Sequence, residues 1–473
     1  MDRQLRNIPP DILKEGLNDM DFLRVYVTEV ARYFIAVCMA LYTYECFAVF
    51  RFKEEERRKG IYFRQYLMIF LIHFSCFVCI CFETDEIRYI FLYIFQLIAL
   101  YAALGLFRMI YPRANRLVIN NMCLLLSVGF VILARLSYDK AMRQFMIVVA
   151  SLVVALIVPF LVRKLRLLRN LTWLYALAGL VALAVVLIIG QETNGSLLSF
   201  SIYGISFQPS EFVKIIFVFF IAGALGRSTD LFQIFSTMVA AAVLVVLLVV
   251  ARDLGSALIF FIVYILMVYL ATGNGLYLLA GGIGGTGAAV LAYNIFSHIQ
   301  VRVQAWRDPW SVIEDEGYQI SQSLFSISNG GWFGLGLFKG NPTAIPYVED
   351  DFVFSAIAEE LGLIFAFGLL LVCISCFIMF MNIAMRIRDR FYQLVAFGLG
   401  ITYIFQVFLT VGGGTKFIPL TGVTLPLISY GGSSVLTTLL MFAIIEGLYM
   451  VRLDEGKKRK RIRKSSRNYE DIE

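Results

Sequence analysis

About thirteen apolar runs near 20 residues, a charged fraction of only 16%, and lysines and arginines gathered in alternate loops predict an all-α polytopic membrane protein. The chain has 473 residues, 60% of them hydrophobic, with a mean hydropathy of +0.79. The runs do not alternate with period two, which excludes a membrane barrel.

The first 25 residues lack a continuous apolar core and a small-residue cleavage site, so they do not read as a cleaved signal peptide. Spans are expected near 26–50, 62–82, 88–110, 116–136, 142–162, 171–190, 209–226, 234–251, 254–271, 276–295, 356–381, 391–412 and 433–451. They divide into a three-span N-terminal accessory module (1–110), a ten-span core (111–452) and a basic tail (453–473). Residues 296–355 form a large polar loop whose glycines, aromatics and charges argue against disorder.

Basic residues crowd "RFKEEERRK" (51–59), "RMIYPRANR" (108–116), "RKLRLLR" (163–169), "RIRDR" (386–390) and "KKRKRIRK" (457–464). Loops of the other parity are acidic or mixed, such as "ETDEIR" (83–88). This asymmetry predicts a cytoplasmic C-terminus and, with an odd number of spans, an N-terminus outside the cytoplasmic membrane. Anionic headgroups account for the net charge of +7 without nucleic acid; the tail is also a candidate dock for a cytosolic partner.

Eight cysteines lie in or beside apolar runs. Cys76 and Cys79, like Cys373 and Cys376, have CxxC spacing but no further ligands nearby in sequence, so packing or lipid-facing thiols are expected. Two histidines, His73 and His298, exclude a His-rich metal centre.

The polar motifs all fall at the predicted outer surface: "FQPSEFVK" (207–214), "ARDLGSA" (251–257), the 296–355 loop, and "TVGGGTKFIPLTGVTLPLISYGGSS" (410–434). No nucleotide-binding P-loop or dinucleotide fingerprint appears, and a group transfer there needs a donor already activated in the membrane; a lipid-linked pyrophosphate sugar fits. Glu211 reads either as a helix-start cap or as a partner of Lys214, which is costly in an apolar segment if unpaired. Arg252–Asp253 reads as a hydrated turn or a site element. Lys416, beside three glycines, is suited to an anion such as pyrophosphate.

The stretch "AIPYVEDDFVFSAIAEELG" (344–362) brings five carboxylates to the mouth of a span. The helix dipole accounts for one or two of Glu349, Asp350 and Asp351. Glu359 and Glu360 lie about two turns further on, and at least one of them is expected to face a polar interior and meet a cation such as Arg252, Lys214 or Lys416. Asp351 is the candidate general base for transfer to a sugar hydroxyl, with inversion at the anomeric carbon.

Six segments in order carry a resemblance: "FQPSEFVKI", "RDLGSALI", "RVQAWRDPW", "GYQISQSLFSISNGGWFGLGL", "DDFVFSAIAEELG" and "PLTGVTLPLISYGGSS". Over roughly 110–452 the chain resembles the SEDS family of membrane glycosyltransferases, to which RodA, FtsW and SpoVE belong. The resemblance implies a peptidoglycan glycosyltransferase that polymerises lipid II beside a class B penicillin-binding protein, in elongation, division or sporulation. It places the catalytic role on Asp351, which would deprotonate the acceptor GlcNAc 4-hydroxyl and release undecaprenyl pyrophosphate. It further implies substrate or cavity roles for Glu211, Lys214, Arg252, Asp253, Arg302, Gln319, Ser323, Glu360, Lys416 and Ser429. A divalent cation, Mg²⁺ or Mn²⁺, is expected, with Asp350 and Asp351 as candidate ligands. Where the family often reads Pro-Glu-x-His-Thr-Asp, this chain has Pro346-Tyr347-Val348-Glu349-Asp350-Asp351. The alternative reading is a lipid II flippase, since polar residues inside helices suit transport as well.

Overall fold

A computed structural model describes residues 19–470, except 53, 165, 194–195, 203–204 and 315–316. Helices α1 (Asp19–Arg51), α2 (Glu55–Thr84) and α3 (Ile87–Ile110) form the N-terminal module. Next come α4 (Arg116–Leu136), α5 (Tyr138–Lys164), α6 (Thr172–Ile189), α7 (Pro209–Leu225), α8 (Leu231–Val250), α9 (Leu254–Thr272) and α10 (Leu276–Ile295). The loop that follows folds into α11 (Ser297–Arg307), α12 (Tyr318–Gly330) and a 3-10 turn at Pro342–Ala344. Then α13 (Val353–Ala384), α14 (Arg390–Gly414) and α15 (Gly432–Glu470) complete the bundle.

Every expected span is a helix. Eleven are long and apolar enough to cross a membrane; α6 and α7, at 18 and 17 residues, reach about 27 Å and 26 Å at 1.5 Å per residue. The protein is thus a multi-pass α-helical membrane protein. The α6–α7 connection adds a small antiparallel ribbon of β1 (Gln191–Thr193), β2 (Ser196–Ile202) and β3 (Ile205–Phe207). Its signal is short, the Ser-Phe-Ser-Ile alternation at 199–202. The basic tail continues α15 as helix to Glu470.

Helix α4 is buried at every position from Leu117 to Ala134, whereas α10 lies on the periphery with no buried residue. Neighbours include α1 on α2 and α13, α2 on α4, α5 on α15, α7 on α14, and α13 on α14. Lipid tails are as apolar as leucine, so close packing rather than water exclusion holds such helices together. Gly129 of α4 shows the closeness required: a Cβ there would stand 2.7 Å from the Leu427 carbonyl oxygen. All eight cysteines are free, and all but the half-buried Cys81 are buried, in keeping with packing thiols.

Candidate active site

A turn opens at Pro346 and α13 begins at Val353, so residues 347–351 form a short elbow at the helix mouth, with Tyr347 exposed, Val348 buried and the three acidic residues half-buried. Tyr347 takes a left-handed φ of 57°, and its carbonyl accepts the amides of Asp350 and Asp351 at 3.0 and 3.2 Å. The 425–430 segment clamps the elbow from the side. The Tyr430 amide donates to the Glu349 carbonyl at 2.8 Å, and Ser429 Oγ donates to the Asp350 carbonyl at 2.5 Å. Lys140, at the start of α5, forms an ion pair with Glu349. Beneath, Ile345, Val348, Phe352 and Ala356 make a small apolar cluster with Leu136 and Leu420. Backbone clamps and an apolar floor leave Asp351 half-buried, with its carboxyl beside Gly422.

Helix α11 brings Arg302 over this elbow, its Nη1 donating to the Leu420 carbonyl at 3.3 Å. Burial pushes the Asp351 carboxyl up to about 6, while Arg302 pulls it down. Asp350 is pushed up to about 7, first by burial and then by the charge of Asp351, with Lys140 opposing. Burial lowers the Arg302 value, and the charges of Asp351 and Asp253 resist that. His298, one turn earlier on α11, is lowered by burial and by Arg302 and Arg252. A carboxyl with a raised value, a cation facing it and further positive charge therefore meet in one place.

Asp253 caps α9, accepting the Ser256 amide at 3.0 Å and the Ser210 hydroxyl at 2.9 Å. Arg252 beside it is exposed with a φ of 63°. A narrow apolar crevice lined by Leu183, Val186, Leu247 and Leu248 reaches Ser210 and Asp253 from between α6 and α8. Deeper, Lys214 Nζ donates to Glu211 Oε1 at 2.7 Å and to Gln406 Oε1 at 3.2 Å. Thr437 Oγ1 donates to Glu211 Oε2 at 3.2 Å. The pairing expectation for Glu211 and Lys214 holds; the capping one does not, since the Gln208 amide at the start of α7 donates to Ser433 Oγ at 2.9 Å instead.

Glu360 is a correction. Its cation is none of the three expected but Arg135 of α4, whose Nε donates to both carboxylate oxygens at 2.8 and 3.1 Å. Ser323 is fully buried, bonded to Ser355 Oγ at 2.6 Å and to the Gly414 carbonyl at 2.7 Å, so it joins α12 to α13 and α14. Gln319 is half-buried on α12. Lys416 adopts a left-handed φ of 59°, and its carbonyl accepts Trp306 Nε1 at 3.1 Å. Arg135, Lys140 and Gln406 escaped the sequence reading. The first two carried a signal, being cations at the end of an apolar run and in a predicted outer loop.

Among the described residues no group of three or more His, Cys, Asp or Glu is placed to hold a metal ion. Asp350 and Asp351 fit a smaller demand: Mg²⁺ is commonly held by one or two carboxylates completed by substrate phosphates. Two adjacent, mutually repelling carboxyls are such a donor set.

A family profile described as "Cell cycle protein", FtsW/RodA/SpoVE, matches residues 114–452. Peptidoglycan glycosyltransferase RodA of Mycobacterium tuberculosis is 34% identical over 380 residues, covering 74% of this chain and 79% of its own. The probable peptidoglycan glycosyltransferase FtsW of Aliivibrio salmonicida is 32% identical over 342 residues, covering 68% of this chain and 83% of its own. A solved structure described as showing structural coordination of polymerization and crosslinking by a peptidoglycan synthase complex aligns with a TM-score of 0.62 at 26% identity, over 72% of this chain and 99% of that one.

Proposed function

We propose, because this chain belongs to the FtsW/RodA/SpoVE family, that it is a peptidoglycan glycosyltransferase polymerising lipid II with Asp351 as general base. The observation that carries the reading is the half-buried Asp351, its carboxyl raised to about 6 by burial and faced by Arg302. Such a group is ionised near neutral pH yet more basic than an ordinary aspartate, as proton abstraction requires.

The acceptor GlcNAc 4-hydroxyl passes its proton to Asp351 as its oxygen attacks C1 of the donor MurNAc. The C1–O bond to the diphosphate breaks, undecaprenyl pyrophosphate leaves with the electron pair, and C1 inverts. Arg302 keeps Asp351 ionised between turnovers. Lys416 and Arg252 supply positive charge for the diphosphate. Mg²⁺ or Mn²⁺, held by Asp350 with Asp351 beside it, would neutralise charge on the leaving group. The basic-loop pattern supports a site on the outer side of the cytoplasmic membrane. A class B penicillin-binding protein is the expected partner, in keeping with the crosslinking named for the similar complex.

With that partner, lipid II and Mg²⁺ or Mn²⁺, the purified protein is expected to build glycan strands. Asp351→Ala is expected to abolish them with the complex intact. Strand formation at the unmodified rate by that variant overturns the base assignment, and movement of lipid II across vesicles without strands identifies a transporter instead.

A further inference from the structure

Helices α1 to α3 precede the family match, which begins at residue 114, yet they contact the loop segment that packs on α13 three turns past Asp351. Inside the membrane a polar seam joins them to the core. Tyr42 Oη and Cys46 Sγ donate to Asn121 Oδ1 at 3.0 and 3.2 Å, and Asn120 Nδ2 donates to Gln65 Oε1 at 2.7 Å. Ser127 Oγ meets His73 Nδ1 at 3.0 Å. Buried polar groups in lipid must find partners, so this seam fixes the register of module on core.

At one end of the seam the module grips residues 332–340. Arg32 of α1 donates through Nη1 to the Gly334 carbonyl at 3.3 Å. The Tyr33 ring meets that of Phe333 with centroids 5.1 Å apart, and Glu83 of α2 pairs with Lys339 at 3.5 Å. The gripped segment in turn braces the break in α13. The Leu335 and Gly336 amides donate to the carbonyls of Glu359 and Glu360 at 2.9 Å each. The Leu363 and Ile364 amides donate back to the Gly331 and Trp332 carbonyls at 2.9 and 3.1 Å. Contact is possible because Gly362 takes φ 84° and a Cβ there would lie 2.2 Å from the Gly334 nitrogen. Arg135 locks the arrangement, bonding Glu360 and, at 3.4 Å, the Gly340 carbonyl, while stacking on Phe338.

We infer that the N-terminal module is a buttress of the active site: through Arg32 and Glu83 it holds residues 332–340 against the first turns of α13 and so positions Asp351. Arg32 and Glu83 are positioning residues that touch no substrate. The α13 segment between Asp351 and the break is only three turns long, so play at residues 359–362 tilts its mouth. The inference rests on reading Asp351 as the base.

The test uses the full chain with its transpeptidase partner, reading amide exchange across 332–340 and the kcat and KM for lipid II. Arg32→Met is expected to raise exchange there about tenfold, as local opening does. It is also expected to lower kcat about tenfold with KM unchanged, within the ~10²-fold that a ~1 Å misplacement can cost. Arg32→Lys, which still reaches the carbonyl, should restore both, and Glu83→Gln should shift both in the same sense. Wild-type exchange and kcat in the Arg32→Met, Glu83→Gln double variant overturn the inference; so does a loss of kcat with unchanged exchange. If Arg32→Met loses protection throughout the chain, Glu83→Gln, an isosteric change at a half-buried position, decides by the same two readings. Asp351→Asn should abolish turnover with the 332–340 amides still protected. Should it turn over normally, the base assignment fails while the exchange data still judge the buttress.

Discussion

Burial raises the Asp351 carboxyl to about 6 and Arg302 opposes the rise, so the two contributions can be separated by substitution. A general base acts ionised, and kcat/KM is therefore expected to climb with pH through about 6. Arg302→Met removes the contribution that lowers the value, and the acid limb of the pH–rate profile should move to higher pH; a limb unmoved or moved down contradicts the pairing. The same carboxyls weigh on stability. Asp350 and Asp351 titrate in the folded protein at about 7 and about 6, above the ~3.9 of an unfolded aspartate. The folded state thus binds more protons than the unfolded one between roughly pH 4 and 7, and stability falls as pH rises across that window. Asp350→Asn should accordingly raise the melting temperature at pH 8 and change it little at pH 4.

Helices meet through a few buried charges whose removal one at a time should be severe. The side chains of Arg135 and Glu360 are only 11% and 1% exposed, and truncating one member of such a pair leaves the other uncompensated, at about 3–5 kcal/mol. Glu360→Gln and Arg135→Met are each expected to lower thermal stability in detergent by that order, and the double variant by less than their sum. Lys214 and Glu211, 2% and 7% exposed, should follow the same pattern. The helix break in α13 is a separate constraint. Gly362→Ala places a Cβ against the Gly334 nitrogen at a φ of 84°, which L-residues adopt only under strain. It should destabilise the chain more than Gly105→Ala, since nothing lies within 4 Å of a Cβ at Gly105.

The proposed mechanism requires the elbow, the α11–α12 loop and the 425–430 segment to face the outer leaflet. Trp310, half exposed in that loop, and Ser465 in the tail are suitable labelling positions. With intact cells and an impermeant thiol reagent, Trp310→Cys should label and Ser465→Cys should label only after permeabilisation. The opposite pattern would remove the site from any supply of externally displayed lipid-linked sugar. The native cysteines interfere little, because seven of the eight are buried.

Spans, their order and the acidic elbow were legible in the sequence, because a bilayer imposes length and apolarity locally, residue by residue. Glu211 and Lys214 were legible together since three residues apart on a helix share a face. Asp351 stood out by its place at a helix mouth and by the motif around it. Partner choice was not legible. Arg135 and Glu360 are 225 residues apart in sequence, and Lys140 and Glu349 are 209 apart; no local pattern states which buried cation a carboxylate meets. The role of the first three helices was hidden for the same reason, since each contact of Arg32 and Glu83 with residues 332–340 exists only once α1 has docked on α13. Hydropathy settles what enters the membrane, whereas the pairing of buried polar groups, which depends on distances across the whole bundle, is decided by tertiary packing alone.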